Sequence, residues 1–382
     1  MNMKKYYKYG VIVAVAMVAM MVLNGCVNVG EVVKKATSLV NEREYKGAMK
    51  VILELDDDYI LKSDTLLQLL STAYYGESLQ PKKRSVAIEC YDMDFMPDGK
   101  TVAFSDFESR SVNLYSFPDM TFVRTIHMPT IMHGIDINSD GSQFIAAMED
   151  RSVSVFDVES GEKVKTLTGH TSRVRGVEFK DDSTAYSCSN DKSVAAWDVK
   201  GGKSYWKVRN HSMNVKSIRL NKNKTMLIAA SNDGTATVLD TEDEGGAEKF
   251  HLIHGENYVN DAVISPDDKY VVTVSGDSYL KIWDMNNGSK LHSVFLNEPL
   301  TAVDVSADSK YIIVGGARNV FVLDAANGKV VAKIHGTNRV IWTIQFVGER
   351  HFAFVDKSAF WYGELLVGKK LIEEARKIMP VE

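Results

Sequence analysis

Cysteine is nearly absent, with three in 382 residues. Two of them, Cys90 and Cys188, fall in repeat units that are not neighbours. The sequence therefore excludes a disulfide framework and predicts two buried, small apolar side chains. Catalytic signatures are missing as well: there is no HExxH, GxSxG or GxGxxG, no phosphate-binding glycine loop and no isolated Ser, His and Asp set. That argues against the common metallopeptidase, hydrolase and nucleotide-binding classes, and no cofactor or metal is expected. A basic excess is lacking too, since 45 Lys and Arg stand against 50 Asp and Glu, which argues against general nucleic-acid binding. What remains is ordinary globular material, 45% hydrophobic and 25% charged, enough for one large or two smaller domains.

The first 25 residues differ from the rest. Lys4, Lys5 and Lys8 precede an unbroken apolar run from Val11 to Leu23, the charged start and apolar core of an export signal, too short for a permanent membrane helix. The run ends in Leu23-Asn24-Gly25-Cys26, which resembles the bacterial lipobox. That resemblance implies cleavage after Gly25, lipid on the Cys26 thiol and acyl on its amine, and a mature chain beginning at Cys26. Several buried chains at about 0.8 kcal/mol per methylene make a stable anchor. Val27 stands where Asp would retain an enteric-type lipoprotein in the inner membrane, so the expected address is the outer membrane, facing the periplasm. Removal of residues 1–25 leaves 42 basic against 50 acidic residues, a net charge of −8.

From Glu31 to about Thr72 apolar residues recur at helical spacing, predicting two or three amphipathic helices in a segment spanning 26–76. Asn41–Asp56 followed by Leu66–Tyr75, with Tyr45 and Ala48 at the crossing and Ala73-Tyr74-Tyr75 later, resembles one tetratricopeptide repeat; a plain amphipathic hairpin packed on the next domain is the alternative. Asp56-Asp57-Asp58 reads as a solvated loop. Residues 77–85, with Pro81, Lys82, Lys83 and Arg84, read as a linker. A C-terminal segment, 367–382, carries Leu371, Ile372, Ala375, Ile378 and Met379 on one helical face and fits the same helical layer.

Between these ends a unit repeats. An aromatic or aliphatic residue followed by a small or acidic one recurs as Tyr115-Ser116, Phe156-Asp157, Trp197-Asp198, Leu239-Asp240, Trp283-Asp284, Leu323-Asp324 and Tyr362-Gly363, at steps of 41, 41, 42, 44, 40 and 39 residues. Each unit reads as four short strands joined by hairpins. The spacing, with Gly169-His170, Ser187, Asp191 and Trp197-Asp198 in the third unit, resembles the WD-repeat family. The resemblance implies an all-β, seven-bladed propeller over 86–366. It also implies a hydrogen-bonded network that passes from the loop His170 through Ser187 and Asp191 to the Trp197 indole; Trp283 and Asp284 are the matching framework residues of the fifth unit. Closure of the ring by an outer strand from 83–88 or from 363–368 stays open.

His127, His170, His211, His254 and His335 are spaced at one-unit and two-unit steps, which predicts one shared loop position rather than metal ligation. Only His133, His251, His292 and His351 escape that register. On the first strand of each unit, the residue after the first apolar position gives a ring that does not repeat: Tyr91, His133, Arg175, Lys216, Asn260, Thr301 and Trp342, with Arg173 and Tyr258 just before it. Aromatics and cations at a channel mouth are what a binding surface shows; ordinary loop variation is the alternative.

The expected function is a non-catalytic, lipid-anchored scaffold of the bacterial cell envelope, monomeric or part of a hetero-complex, that binds a protein or peptide through the propeller face. A ligand-binding or catalytic propeller with a site at the channel mouth, of the kind found among periplasmic quinoproteins and lactonases, is the alternative. It calls for acids or histidines that converge without repeating. A part in envelope assembly, like that of the lipid-anchored propeller of the barrel-assembly machinery, rests on architecture alone.

Overall fold

The computed structural model of the chain describes residues 28–78, 90–335, 339–356 and 359–379. Cys26, Gly25 and the whole leader lie outside these residues, as does most of the linker. Among the described residues no helix is long and apolar enough to cross a membrane.

Among the described residues seven antiparallel sheets follow one another along the chain, six of four strands and a seventh of three. The inner strands are Cys90–Phe95, Met132–Ile137, Val174–Phe179, Val215–Leu220, Val259–Ile264, Leu300–Val305 and Ile341–Val347. Neighbouring inner strands touch all the way round, that of blade one against that of blade seven, so the sheets close into a seven-bladed β-propeller. Second and third strands are almost wholly buried, as in Tyr270–Ser275, because both of their faces pack on adjacent blades. Fourth strands are mostly exposed. The aromatic or aliphatic position of the repeat lies at or near the end of each third strand, and the acid after it accepts backbone N–H groups of the next turn, as Asp198 does from Gly201 at 2.7 Å. Asp284 does the same for Asn286. It is a turn cap and not a member of an indole network, because its side chain leaves the sheet where the chain reverses.

Among the described residues four helices precede the propeller: α1 (Val29–Asn41), α2 (Tyr45–Leu53), α3 (Asp57–Leu61) and α4 (Asp64–Ser78). The short α3 takes the place of the expected solvated loop: Asp56 caps it by accepting the Asp58 N–H, and Asp57 and Asp58 lie in its first turn, where the helix dipole favours acids. The C-terminal α5 (Gly368–Ile378) joins them, burying Leu371, Ile372 and Ala375 against Ile52, Leu66 and Leu70. This layer sits on the rim at blades six and seven. Gln68 donates to the Val330 carbonyl at 2.8 Å, and Ser71 Oγ accepts the Lys333 N–H at 3.1 Å, so α4 satisfies the otherwise bare edge of blade six. Tyr75 donates its hydroxyl to the Glu364 carbonyl and accepts the Leu366 N–H, both at 2.8 Å.

Those contacts decide the path after blade seven. Residues 363–368 supply no outer strand: Gly363 and Glu364 complete the third strand, Phe360–Glu364, Leu365 packs with Tyr75 and Phe352 in the core of blades six and seven, and Leu366 enters the helical core. The alternative, 83–88, lies outside the described residues.

Candidate binding site at the channel mouth

The loop network and the inner ring hold the polar side chains that could do chemistry. In blade three the Trp197 indole N–H donates to Ser187 Oγ at 2.7 Å, and that oxygen is 2.7 Å from His170 Nε2. His170 Nδ1 faces Asp191 Oδ2 at 3.0 Å. An ionised carboxylate only accepts, so Nδ1 donates to Asp191, and Ser187 Oγ bridges Nε2 and the indole. The order is Asp191–His170–Ser187–Trp197, with the aspartate at the histidine end rather than between serine and indole. Burial would raise the Asp191 pKa, but hydrogen bonds from His170, Lys207, Ser193 and the Thr171 backbone outweigh it and hold the carboxylate well below the usual range. A Ser, His and Asp set in contact could suggest a nucleophile. Here Ser187 is fully buried and its oxygen is used on both sides, so the set is framework.

Blade five repeats the device in a form the sequence hides. Thr273 replaces serine, accepting the Trp283 indole at 2.9 Å and lying 2.7 Å from His254 Nδ1. His254 Nε2 faces Asp277 Oδ1 at 3.6 Å, too far for a hydrogen bond, and burial, against the pull of Asp277, brings that histidine down to about 4. In blade four His211 Nε2 meets Thr237 Oγ1 at 3.0 Å, with Leu239 where tryptophan would stand. His127 and His335 do not share this loop position. They occupy the last place of their fourth strands, opposite Ser111 and Asn319, whereas His170, His211 and His254 follow the ends of theirs.

At the axis the structure brings together every member of the expected ring. Tyr91, His133, Arg175, Lys216, Asn260, Thr301 and Trp342 line a cavity of roughly 250 Å3. Arg173 and Tyr258 do not line it. Arg173 reaches outward to Glu149 at 3.1 Å, and Tyr258 is half exposed on the face beside the mouth.

Two arcs make up the mouth. On blades seven, one and two, Tyr91 packs edge-on against Trp342 at 5.3 Å and Phe107 at 5.1 Å, with His133 at 5.5 Å. On blades three to five stand Arg175, Lys216 and Asn260. Arg175 donates to His133 Nδ1 at 3.3 Å, which fixes the Nε2 proton on the side of Glu149 Oε2, 2.5 Å away. Burial lowers the His133 pKa against the pull of Glu149, and Arg175 lowers it further, so the imidazole is neutral. Lys216 donates to Asn260 Oδ1 at 2.9 Å, and Asn260 donates in turn to the Leu300 carbonyl at 2.7 Å.

Below the mouth lies a set of residues that the sequence analysis missed. Asp92, Asp94, Asp136, Glu178 and Asp261 line the same cavity, with Arg219 among them. Arg219 reaches Asp261 at 3.3 Å and Asp304 at 3.7 Å. Each inner strand carries a register shift beside its first residue. This bulge turns neighbouring positions, such as Tyr91 and Asp92, into the same channel. The acids tie blades together: Asp92 accepts the Ile135 N–H, Asp94 that of Ile137, Asp136 that of Phe179, Asp261 that of Val303 and Asp304 that of Phe346, at 2.6–3.1 Å. Burial pushes Asp92 up to about 7 and Asp136 up to about 6, and raises Asp94 and Glu178 well above the usual range. Charged residues at alternate places on strands otherwise buried were the available signal. Among the described residues no group of His, Cys, Asp or Glu has the arrangement of a metal site.

Comparison with known proteins agrees with this architecture. The chain is 22% identical over 254 residues to eukaryotic translation initiation factor 3 subunit I of Aspergillus terreus, covering 64% of this chain and 65% of that protein. It is 25% identical over 302 residues to transcription factor unc-37 of Caenorhabditis elegans, covering 78% of this chain and 47% of that protein. A third relative is the serine-threonine kinase receptor-associated protein of Gallus gallus, 23% identical over 141 residues, covering 37% of this chain and 39% of that protein. The chain thus spans less than two thirds of the length of each. With these relatives the fold is a WD-repeat-like propeller. A family model described as Outer membrane protein assembly factor BamB matches residues 149–351, more than half of the sequence, and the chain belongs to that family.

Proposed function

We propose that this chain is a non-catalytic scaffold of the bacterial cell envelope, anchored by lipid on Cys26, that presents the channel mouth of a rigid propeller to another envelope protein. The observation that carries the reading is the contrast between repeated and unrepeated residues. The repeated histidines and hydroxyls of blades three to five bond within their blades, while the mouth ring differs at every blade and keeps aromatic and cationic side chains at the opening. The family description, an outer-membrane assembly factor, supports an envelope role. Relatives named as a subunit of an initiation factor and as receptor-associated support binding to proteins. The helical layer, read as a tetratricopeptide-like hairpin capped by α5, offers a second surface at the rim.

The converging channel acids favour the ligand-binding alternative at first sight. Five of them already accept a backbone N–H of the next blade, and that use accounts for their presence as framework. Crosslinking in intact cells, with parent and an Arg175→Gln, Lys216→Gln, Trp342→Ala variant, tests the proposal. One dominant envelope protein recovered with the parent and lost with the variant is expected; recovery of the same proteins with both overturns the assignment of the mouth. Cys26→Ser is expected to move the protein from the membrane fraction to the soluble one.

A further inference from the structure

Arg175 and Lys216 are left without an acid, and this imbalance indicates what the mouth takes. Burial lowers the pKa of both, and Arg175 lowers that of Lys216 further, against a weaker opposing pull from Glu149 on Arg175 and from Asp261 on Lys216, neither of which is in contact. Their side-chain hydrogen bonds go to neutral acceptors, the His133 imidazole and the Asn260 carbonyl. Among the described residues neither forms an ion pair. Two other cations on inner and outer strands are paired: Arg219 with Asp261 and Asp304, and Lys207 with Asp191 at 2.8 Å. A desolvated cation without a counter-charge is costly, and an arriving anion relieves that cost.

The carboxylates deeper in the channel are committed in a way the cations are not. Five accept a backbone N–H of the neighbouring blade, and Arg219 pairs with two of these. Arg175 and Lys216 also stand at the second residue of their inner strands, with Glu178 and Arg219 three residues further along. Beside them the ring of Tyr91 and Trp342 offers an apolar wall.

We infer that the mouth binds its partner through an acidic segment: an Asp or Glu carboxylate sits between Arg175 and Lys216, and an adjacent aromatic or aliphatic side chain packs on Tyr91 and Trp342. The inference rests on the mouth being the partner-binding face. It makes association faster at low salt and selective against basic segments.

The test uses the purified full-length protein and three labelled hexapeptides, one with two glutamates flanking a phenylalanine, one with glutamines in their place and one with lysines. The glutamate peptide is expected to bind about tenfold or more tightly than the glutamine peptide at low salt, and the preference to shrink as salt rises. Arg175→Gln with Lys216→Gln is expected to abolish that preference, and Arg175→Lys with Lys216→Arg to retain part of it. Equal binding of the three, no binding of the glutamate peptide at millimolar concentration, or tighter binding of the lysine peptide, as insertion towards the channel acids would give, overturns the inference. So does competition by free glutamate as effective as that by the peptide. In intact-cell crosslinking, a partner lost with Trp342→Ala but kept with the two Gln substitutions leaves the mouth as the binding face and overturns its acidic selectivity. A partner kept with both variants overturns the mouth assignment itself.

Discussion

In blade three an aspartate, a histidine, a serine and a tryptophan from one blade bond to one another until the hydroxyl, both ring nitrogens and the indole are satisfied. At the channel mouth a glutamate, a histidine, an arginine and a tryptophan come from three blades, and there Arg175 is left with no acid of its own. Similar residue types therefore serve opposite ends. Within a blade the groups are placed by hairpins of fixed length and are buried, so they hold strands together. Across blades they are placed by ring closure and face an opening, so they remain available to something outside the chain.

Breaking the framework side of this comparison should cost most. Trp197→Ala removes a fully buried indole and should destabilise the propeller by about 3–5 kcal/mol in urea unfolding. Ser187→Ala leaves the indole N–H and His170 Nε2 without their shared oxygen and should cost about 1–3 kcal/mol.

The repeat made this side legible. The spacing of the seven two-residue marks placed the third strands and hence the blade count, because each mark ends or nearly ends a buried strand whose length the hairpins fix. Trp283 could be assigned to a network, but its partner Thr273 could not, because threonine offers the same hydroxyl under a different letter. Asp284 looked like a network member from its place beside tryptophan, although strand alternation turns it out to the loop. The acids of the channel were missed for a geometric reason. Strict alternation sends Asp92 away from Tyr91, and only the bulge brings both to the axis.

The channel acids give the comparison a pH dependence. With its carboxyl at about 7 in the folded chain, Asp92 holds a proton between about pH 4 and 7 that the unfolded chain releases. Folding therefore takes up a proton in that window, and stability falls as pH rises through it. Buried His254, near 4, acts in the opposite sense between about pH 4 and 6.5, so the parent's net slope mixes the two. Asp92→Asn keeps an acceptor for the Ile135 N–H and removes one titration. Relative to the parent, its stability should improve with rising pH between 5 and 7, by at most about 1.4 kcal/mol per unit, as read from urea midpoints at several pH values. A gap that does not change with pH would remove Asp92 from the account.

A smaller effect is expected where the helical layer meets the ring. Tyr75→Phe removes the hydroxyl that bridges Glu364 and Leu366 and should cost about 1 kcal/mol. Amide exchange should quicken in Gly368–Ile378 while blade three stays protected.

The most direct test of the central claim sets stability against binding in one variant. Arg175→Gln, Lys216→Gln and Trp342→Ala together should leave the urea midpoint of the propeller close to the parent's, because none of the three takes part in a blade network, and should abolish recovery of the crosslinked envelope partner. A partner recovered as well as with the parent, or a propeller that unfolds as readily as the Trp197→Ala variant, would contradict the division between framework and binding face.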